Sequence, residues 1–533
     1  MDDSIMHKAI NKSWHAGVLL LGLMIGLIHH IYVYPYIFHA DSAAYQVLSS
    51  AMLDEKSILP FDFFYGNQLI LLKISPFISL ASIIGFSGYK AYAIGGAIAI
   101  CLWFYICSLI TSKYFENKIT GLMLSACLFI PLGHDDVDFL LGQESHLSNV
   151  VLSALACLSC LMFVQKKKFY NVILFSAAII IMAAESPIRA MIVIAPLSLF
   201  IVSVFKNKIS LLAVLITFIS LFSGALINKY LLLTHFPLRV DYASTAVLLD
   251  PTSVINNFIL ILQSILVQSS SSWILVGHGA LSLATPFYFI GFAYIILFIS
   301  ALVYGSCKYV SMISNTDIES LTNDKIKLLA SLASIGFLSG LLLVASLNPD
   351  SGRHIFWATC LLKLVVFYFM HCAISNFIKN NILSSSATVI IAMLMSSWVP
   401  ISYLNNFKSF NYTNIDKKSE INNKILSLTK QYGINHIYGE DFWRMQLLNS
   451  FDSSIKSSEI IEVNHEYLVP REWLSRPSWY CQSGDVLYYT KDGETDKLVE
   501  SKLKNTKSEI LYDGPDGKVW KGPVLWGKPS WCK

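Results

Sequence analysis

The residues able to do chemistry in this sequence are few, and they stand at the ends of long apolar runs. Asp41, in Phe38-His39-Ala40-Asp41-Ser42-Ala43-Ala44-Tyr45, follows directly on an apolar run from about Trp14 to Phe38. A carboxylate where a membrane anchor leaves the bilayer is positioned to take a proton from a hydroxyl. Asp41 also reads as the N-cap of a helix starting at Ala43, and both readings stand. The next group is Gly133-His134-Asp135-Asp136-Val137-Asp138, with Glu144 and His146 just beyond. Three carboxylates this close repel one another unless they share a proton or a cation. On an extended segment Asp136 and Asp138 face the same side, as two metal ligands would, and His134 adds a nitrogen. The alternative is an ordinary acidic loop.

Basic groups complete the set. Glu185 and Arg189 are four apart, so on one helix they would simply neutralise each other. Arg353 and His354 stand at the head of an apolar run, where a guanidinium fork suits a lipid phosphate or merely snorkels to the surface. Lys73 and Arg239 are further candidates for a phosphate.

These residues need a membrane to position them. An apolar fraction of 54% and a charged fraction of 14% exclude an ordinary soluble protein and give a polytopic α-helical membrane protein. The net charge of +4 resides largely in short lysine-rich connections, so it reports orientation and not affinity for nucleic acid. Lys8 and Lys12 before the first run put the N-terminus in the cytoplasm. If Leu69 to Phe86 lies in the outer interface, every short lysine-bearing loop falls inside, and about eleven spans result. The expected organisation is a transmembrane domain over residues 1–404, a long first outer loop over 39–90 and an exported α/β domain over 405–533. Cys481 and Cys532, alone in that exported region, could close it with a disulfide. The ionisable residues are expected at span ends, leaving few charges in mid-span.

In this order and sidedness, Asp41 in a long first outer loop, the His134-Asp135-Asp136-Val137-Asp138 element in the second, and Arg353 late in the membrane domain resemble the GT-C superfamily. These are multi-spanning glycosyltransferases that use polyprenyl-phosphate sugars. The resemblance covers about the first four hundred residues by layout. It implies a catalytic base at Asp41 and a metal- or acceptor-binding role for Asp135, Asp136 and Asp138, with a divalent cation such as Mg or Mn. Size and tail look most like the serotype-converting O-antigen glycosyltransferases. The chain departs from two other branches: Trp479-Tyr480-Cys481 is no Trp-Trp-Asp motif of oligosaccharyltransferases, and Leu59-Pro60-Phe61-Asp62 stands where protein O-mannosyltransferases carry His-Pro-Pro.

The implied activity is inverting transfer of a sugar from a polyprenyl-phosphate donor to a periplasmic glycan such as O-antigen or lipopolysaccharide. Arg353, His354, Arg189, Lys73 and Arg239 would bind the donor phosphate and Glu185 would support them. The expected location is a bacterial inner membrane, with the C-terminal domain periplasmic. The alternatives are a flippase or transporter for a lipid-linked glycan and an O-antigen polymerase.

Overall fold

Backbone amides in hydrocarbon must bond within their own segment, so long apolar runs fold as helices. The computed structural model describes residues 3–133, 135–240, 247–268, 281, 285–314, 324–347, 352–396 and 420–532. In chain order the first helices are α1 (Asp3–Ile28), α2 (Ala40–Glu55), α3 (Ser75–Ile83), α4 (Gly88–Phe115), α5 (Lys118–Phe129), α6 (Leu147–Lys166) and α7 (Phe169–Glu185). Then come α8 (Pro187–Phe205), α9 (Lys208–Leu226), α10 (Pro251–Gln268), α11 (Thr285–Ser314), α12 (Lys325–Ser346), α13 (Phe356–Phe377) and α14 (Asn381–Ser396).

Polar residues set the helix starts. The Asn117 side chain accepts from the Ile119 and Thr120 amides to open α5, and Asn207 forms a capping box with Ser210 at α9. Among the described residues, eight helices are long and apolar enough to cross a membrane, all in α1, α4, α6, α8, α9, α11, α12 and α13 or their direct continuations. Three other expected spans are shorter apolar helices: α5 with 12 residues, α7 with 17 and α14 with 16. The stretch Leu69 to Phe86 contributes only the 9 residues of α3, which cannot span.

The chain divides into two compact units, with two of the boundaries falling inside α1 and α4. One comprises Met1–Gly26, Ile100–Thr234 and Tyr242–Asn405. Its helices meet through small residues: Gly224 of α9 lies against Ala183 and Ile180 of α7, and Gly305 of α11 against Ala330 and Ser334 of α12. A methyl group at either glycine would collide with backbone, so close approach requires glycine there.

The other unit comprises Leu27–Ala99, His235–Asp241 and Asn406–Lys533. Its centre is a mixed sheet of β1 (His436–Gly439), β2 (Lys456–Val463), β3 (Tyr467–Pro470), β4 (Asp485–Thr490), β5 (Glu509–Gly514) and β6 (Gly517–Pro523). The strand order is β3-β2-β1-β4-β6-β5, with β1 parallel to both β2 and β4. Helices α15 (Glu420–Tyr432), α16 (Phe442–Phe451) and α17 (Glu494–Lys504) complete it. Successive strand residues face opposite ways. Ile437 and Leu487 therefore join α15 and α16 through Ile421, Ile425 and Met445, while Tyr438 and Tyr488 enter the second layer with Val499, Leu503 and Trp520. A disulfide joins Cys481 to Cys532, with Cα atoms 5.3 Å apart.

Phe64 belongs to that second layer, although it comes from the first loop. Its backbone pairs twice with the C-terminal region, Phe64 N donating to Ser475 O at 2.8 Å and Leu474 N to Phe64 O at 2.9 Å. Arg476 fastens the same loop. Its Nε donates to Asp62 at 2.8 Å and its Nη1 to Asp54 at 2.6 Å, while Ser478 N donates to the other Asp62 oxygen at 2.7 Å. Helix α2 packs against both α3 and α16. The C-terminal residues and the first loop thus share one core.

Arg476 is buried while Asp54 is exposed and Asp62 half-buried, so replacing the guanidinium by an apolar side chain mainly unties the loop from the sheet and strands little buried charge. Arg476→Met is expected to lower the melting temperature of this unit and open residues 56–66 to protease. Arg476→Lys should recover only part, since an ammonium lacks the planar fork. Wild-type protease resistance in Arg476→Met would contradict this.

Candidate functional site

Asp41 lies in the first turn of α2, where helix amides favour negative charge. It is not the N-cap: His39 holds that position in extended backbone and makes no side-chain capping bond. Asp41 is half-buried, whereas its neighbours Ala40, Ser42, Ala43 and Ala44 are buried. The turn is fixed from two sides. The Tyr34 hydroxyl bonds the Ser42 hydroxyl, and the His39 ring meets Trp443 of α16 with centroids 5.9 Å apart. Tyr34 itself stacks on Tyr92, 6.0 Å between centroids.

Of the two other candidates in this unit, Lys73 is buried immediately before α3. Arg239 forms an ion pair with Glu472 and lies 4.3 Å above the Phe64 ring. Its amide also donates to Tyr65 O at 3.0 Å. Nearby, Arg471 Nη1 donates to both Glu459 oxygens, at 2.6 and 2.7 Å. Burial pushes the Glu459 carboxyl up to about 7 against the opposing pull of Arg471.

In the helical unit the acidic element departs from the expected extended strand. Asp136–Gly142 is a turn of π-helix, so the alternation that would face Asp136 and Asp138 to one side does not apply. Nor is it a solvated loop, because Asp135, Asp136 and Asp138 are all buried. Asp136 accepts from Leu132 N at 2.9 Å and from Lys363 Nζ at 3.0 Å. Lys363 also donates to Leu128 O and Ile130 O, at 3.1 and 2.6 Å. This buried lysine in the middle of α13 corrects the expectation that charges keep to span ends. A single cation inside the apolar run Leu361-Leu362-Lys363-Leu364-Val365 is the signal that marks it in the sequence.

A metal ion needs several anionic or imidazole ligands converging on one point. Among the described residues no three His, Cys, Asp or Glu side chains gather in that way, and Asp136 is already engaged with Lys363. His134 lies outside the described residues. No step below runs through a divalent cation.

The late basic residues do meet the acidic element. Arg353 lies over the Phe139 ring at 5.3 Å, and His146 stacks on Phe356 at 5.5 Å. The guanidiniums of Arg189 and Arg353 both lie within electrostatic reach of His354. Glu144, beside His146, adopts a left-handed backbone with φ 55°, and burial raises its carboxyl well above the ordinary range. Glu185 and Arg189 are not a pair along one helix, because extended backbone at Ser186 separates α7 from α8. Glu185 is buried at the end of α7, where Asn228 Nδ2 donates to Ala184 O at 2.7 Å.

No family model matches the sequence, and no curated protein matches it either. Among solved structures, the crystal structure of an oligosaccharyltransferase from Archaeoglobus fulgidus, in complex with Zn and sulfate, aligns with a TM-score of 0.43. The identity is 10%, over 86% of this chain and 62% of that one, so this chain spans less than two thirds of its length.

The buried ion pair gives a direct test. Lys363→Met should strand Asp136 and cost about 3–5 kcal/mol, whereas Lys363→Met with Asp136→Leu should recover most of the loss. Thermal melts of the detergent-purified variants read this. Equal destabilisation by the single and double variants would contradict the pairing.

Proposed function

We infer that this chain is a membrane glycosyltransferase of GT-C type, moving a sugar from a polyprenyl-phosphate donor to a glycan acceptor. The observation that carries the reading is Asp41, a half-buried carboxylate held in the first turn of α2 by the Tyr34–Ser42 and His39–Trp443 contacts. A base must be both fixed and reachable, and this one has fixed neighbours and an accessible edge.

A sugar on a lipid phosphate already carries its leaving group. Asp41 takes the proton of the acceptor hydroxyl as that oxygen attacks the anomeric carbon from the face opposite the phosphate. The bond from the anomeric carbon to the phosphate oxygen breaks, and polyprenyl phosphate departs with the electron pair. The configuration inverts because attack and departure are on opposite faces. Charge grows on the departing phosphate, which calls for fixed cations. Within the helical unit, Arg353 and Arg189 both lie within electrostatic reach of His354, a grouping whose guanidiniums suit an anionic group. Arg239 is left out because Glu472 already holds it.

The membrane is the bacterial inner membrane in this account, with the sheet domain and Asp41 on the periplasmic side. An O-antigen or lipopolysaccharide acceptor suits that side. The short lysine-bearing turns at Lys166-Lys167-Lys168 and Lys206–Lys208 favour this orientation through the positive-inside rule.

Asp41→Asn preserves size and removes the base. Transfer from a polyprenyl-phosphate hexose should fall by about 10²–10⁴-fold, with expression and melting temperature unchanged. Retained turnover near the wild-type level would remove Asp41 from the role.

A further inference from the structure

Within the sheet unit, segments 238–240 and 471–473 line an open cleft of about 560 Å³, formed by Leu238, Arg239, Val240, Arg471, Glu472 and Trp473. This volume is within the range of small-molecule sites. One face of the Trp473 six-membered ring is covered by Gly66, where an added Cβ would stand 3.1 Å from it, which leaves the opposite face for a ligand. The residue is half-buried and contributes an aromatic wall to the cleft.

Each guanidinium at that wall is matched by a carboxyl group. Arg239 pairs with Glu472, and Arg471 holds Glu459 through both carboxylate oxygens. An anion would have to displace one of these carboxylates, and a cation would have to displace a guanidinium. Neither has the net field that draws a charged ligand. The pairs are nevertheless open at their edges: the side chains of Arg239, Glu472 and Arg471 are 34%, 36% and 40% exposed. Spare N–H groups and carboxylate lone pairs therefore remain for hydroxyl groups. A neutral molecule with hydroxyls around its rim and an apolar C–H face suits both features. A pyranose ring is such a molecule, since its C–H face lies flat on the electron-rich face of an indole.

We propose that this cleft is a binding site for a neutral glycan, and that it holds the acceptor. The second half rests on the glycosyltransferase reading; the first half does not. The ion pairs hold the polar groups in place before the ligand arrives, which lowers the ordering cost of binding.

The test uses the full-length protein in detergent carrying Asp41→Asn, so that binding is read without turnover. Neutral oligosaccharides of glucose, galactose, mannose and rhamnose are compared with inorganic phosphate and with anionic phospholipid vesicles, by calorimetry and saturation-transfer NMR. At least one neutral oligosaccharide should bind. Trp473→Ala should weaken it about tenfold or more, Trp473→Tyr should restore most of it, and Tyr467→Ala, an exposed aromatic of β3, should leave it unchanged. With Asp41 restored, Trp473→Ala should raise the acceptor KM with kcat little altered. Binding of phosphate or vesicles in preference to every neutral sugar, or neutral-sugar binding indifferent to Trp473, would overturn the proposal. Transfer that depends on Asp41 but not on Trp473 would remove the cleft and leave the enzyme reading intact. Sugar binding that depends on Trp473, in a protein that transfers nothing, would keep the glycan site and remove the enzyme reading.

Discussion

A guanidinium shut away from water has to find carboxylates, and Arg476 finds Asp62 and Asp54, which precede it by 414 and 422 residues. Much of the sheet unit follows from that requirement. The fork fixes the loop after α2, the loop delivers Phe64 to the second layer of the sheet core, and α2 packs against α16. The first turn of α2, with Asp41, is thereby packed within the sheet unit. If Asp41 acts as the base of the proposed reading, such packing is what holds it in place.

The helical unit meets the same constraint with the opposite arrangement of charge. There the cation is a lysine in mid-helix and the acid comes from a π-helical turn, with two backbone carbonyls completing the coordination of the ammonium. A buried pair of this kind adds little net stability compared with an apolar pair, but it penalises every arrangement in which the partners separate. It therefore holds the acidic turn to α13. The same turn carries Phe139 under Arg353, and His146 just beyond it lies against Phe356, so the basic residues at the head of α13 are set by its placement.

The membrane helices were legible because hydrophobic runs and their lysine ends are local signals, and the sheet because strands and turns alternate within a short stretch. Cys481 and Cys532 could be paired because no other cysteine shares their polar region. Asp41 stood out by its position after the first run. In the acidic element period-two alternation misleads, because these residues form a π-turn, a conformation with no sequence period of its own. The partners of Asp136 and Arg476 lie hundreds of residues away, and nothing in their immediate neighbours announces them. Arg239 was legible as a cation but not as one already neutralised by Glu472. Ion pairing is a property of the folded arrangement, so the sequence alone overstates how many charges are available to a ligand.

The most direct measurement is the fate of the donor. Purified full-length protein in vesicles is given polyprenyl-phosphate hexoses and a neutral glycan acceptor, with products followed by mass spectrometry and the anomeric linkage by NMR. The account predicts a glycosylated acceptor of inverted configuration and one polyprenyl phosphate released for each sugar transferred. Donor recovered intact on the opposite side of the vesicle, with the acceptor unmodified, would contradict it and identify the chain as a carrier of lipid-linked sugar.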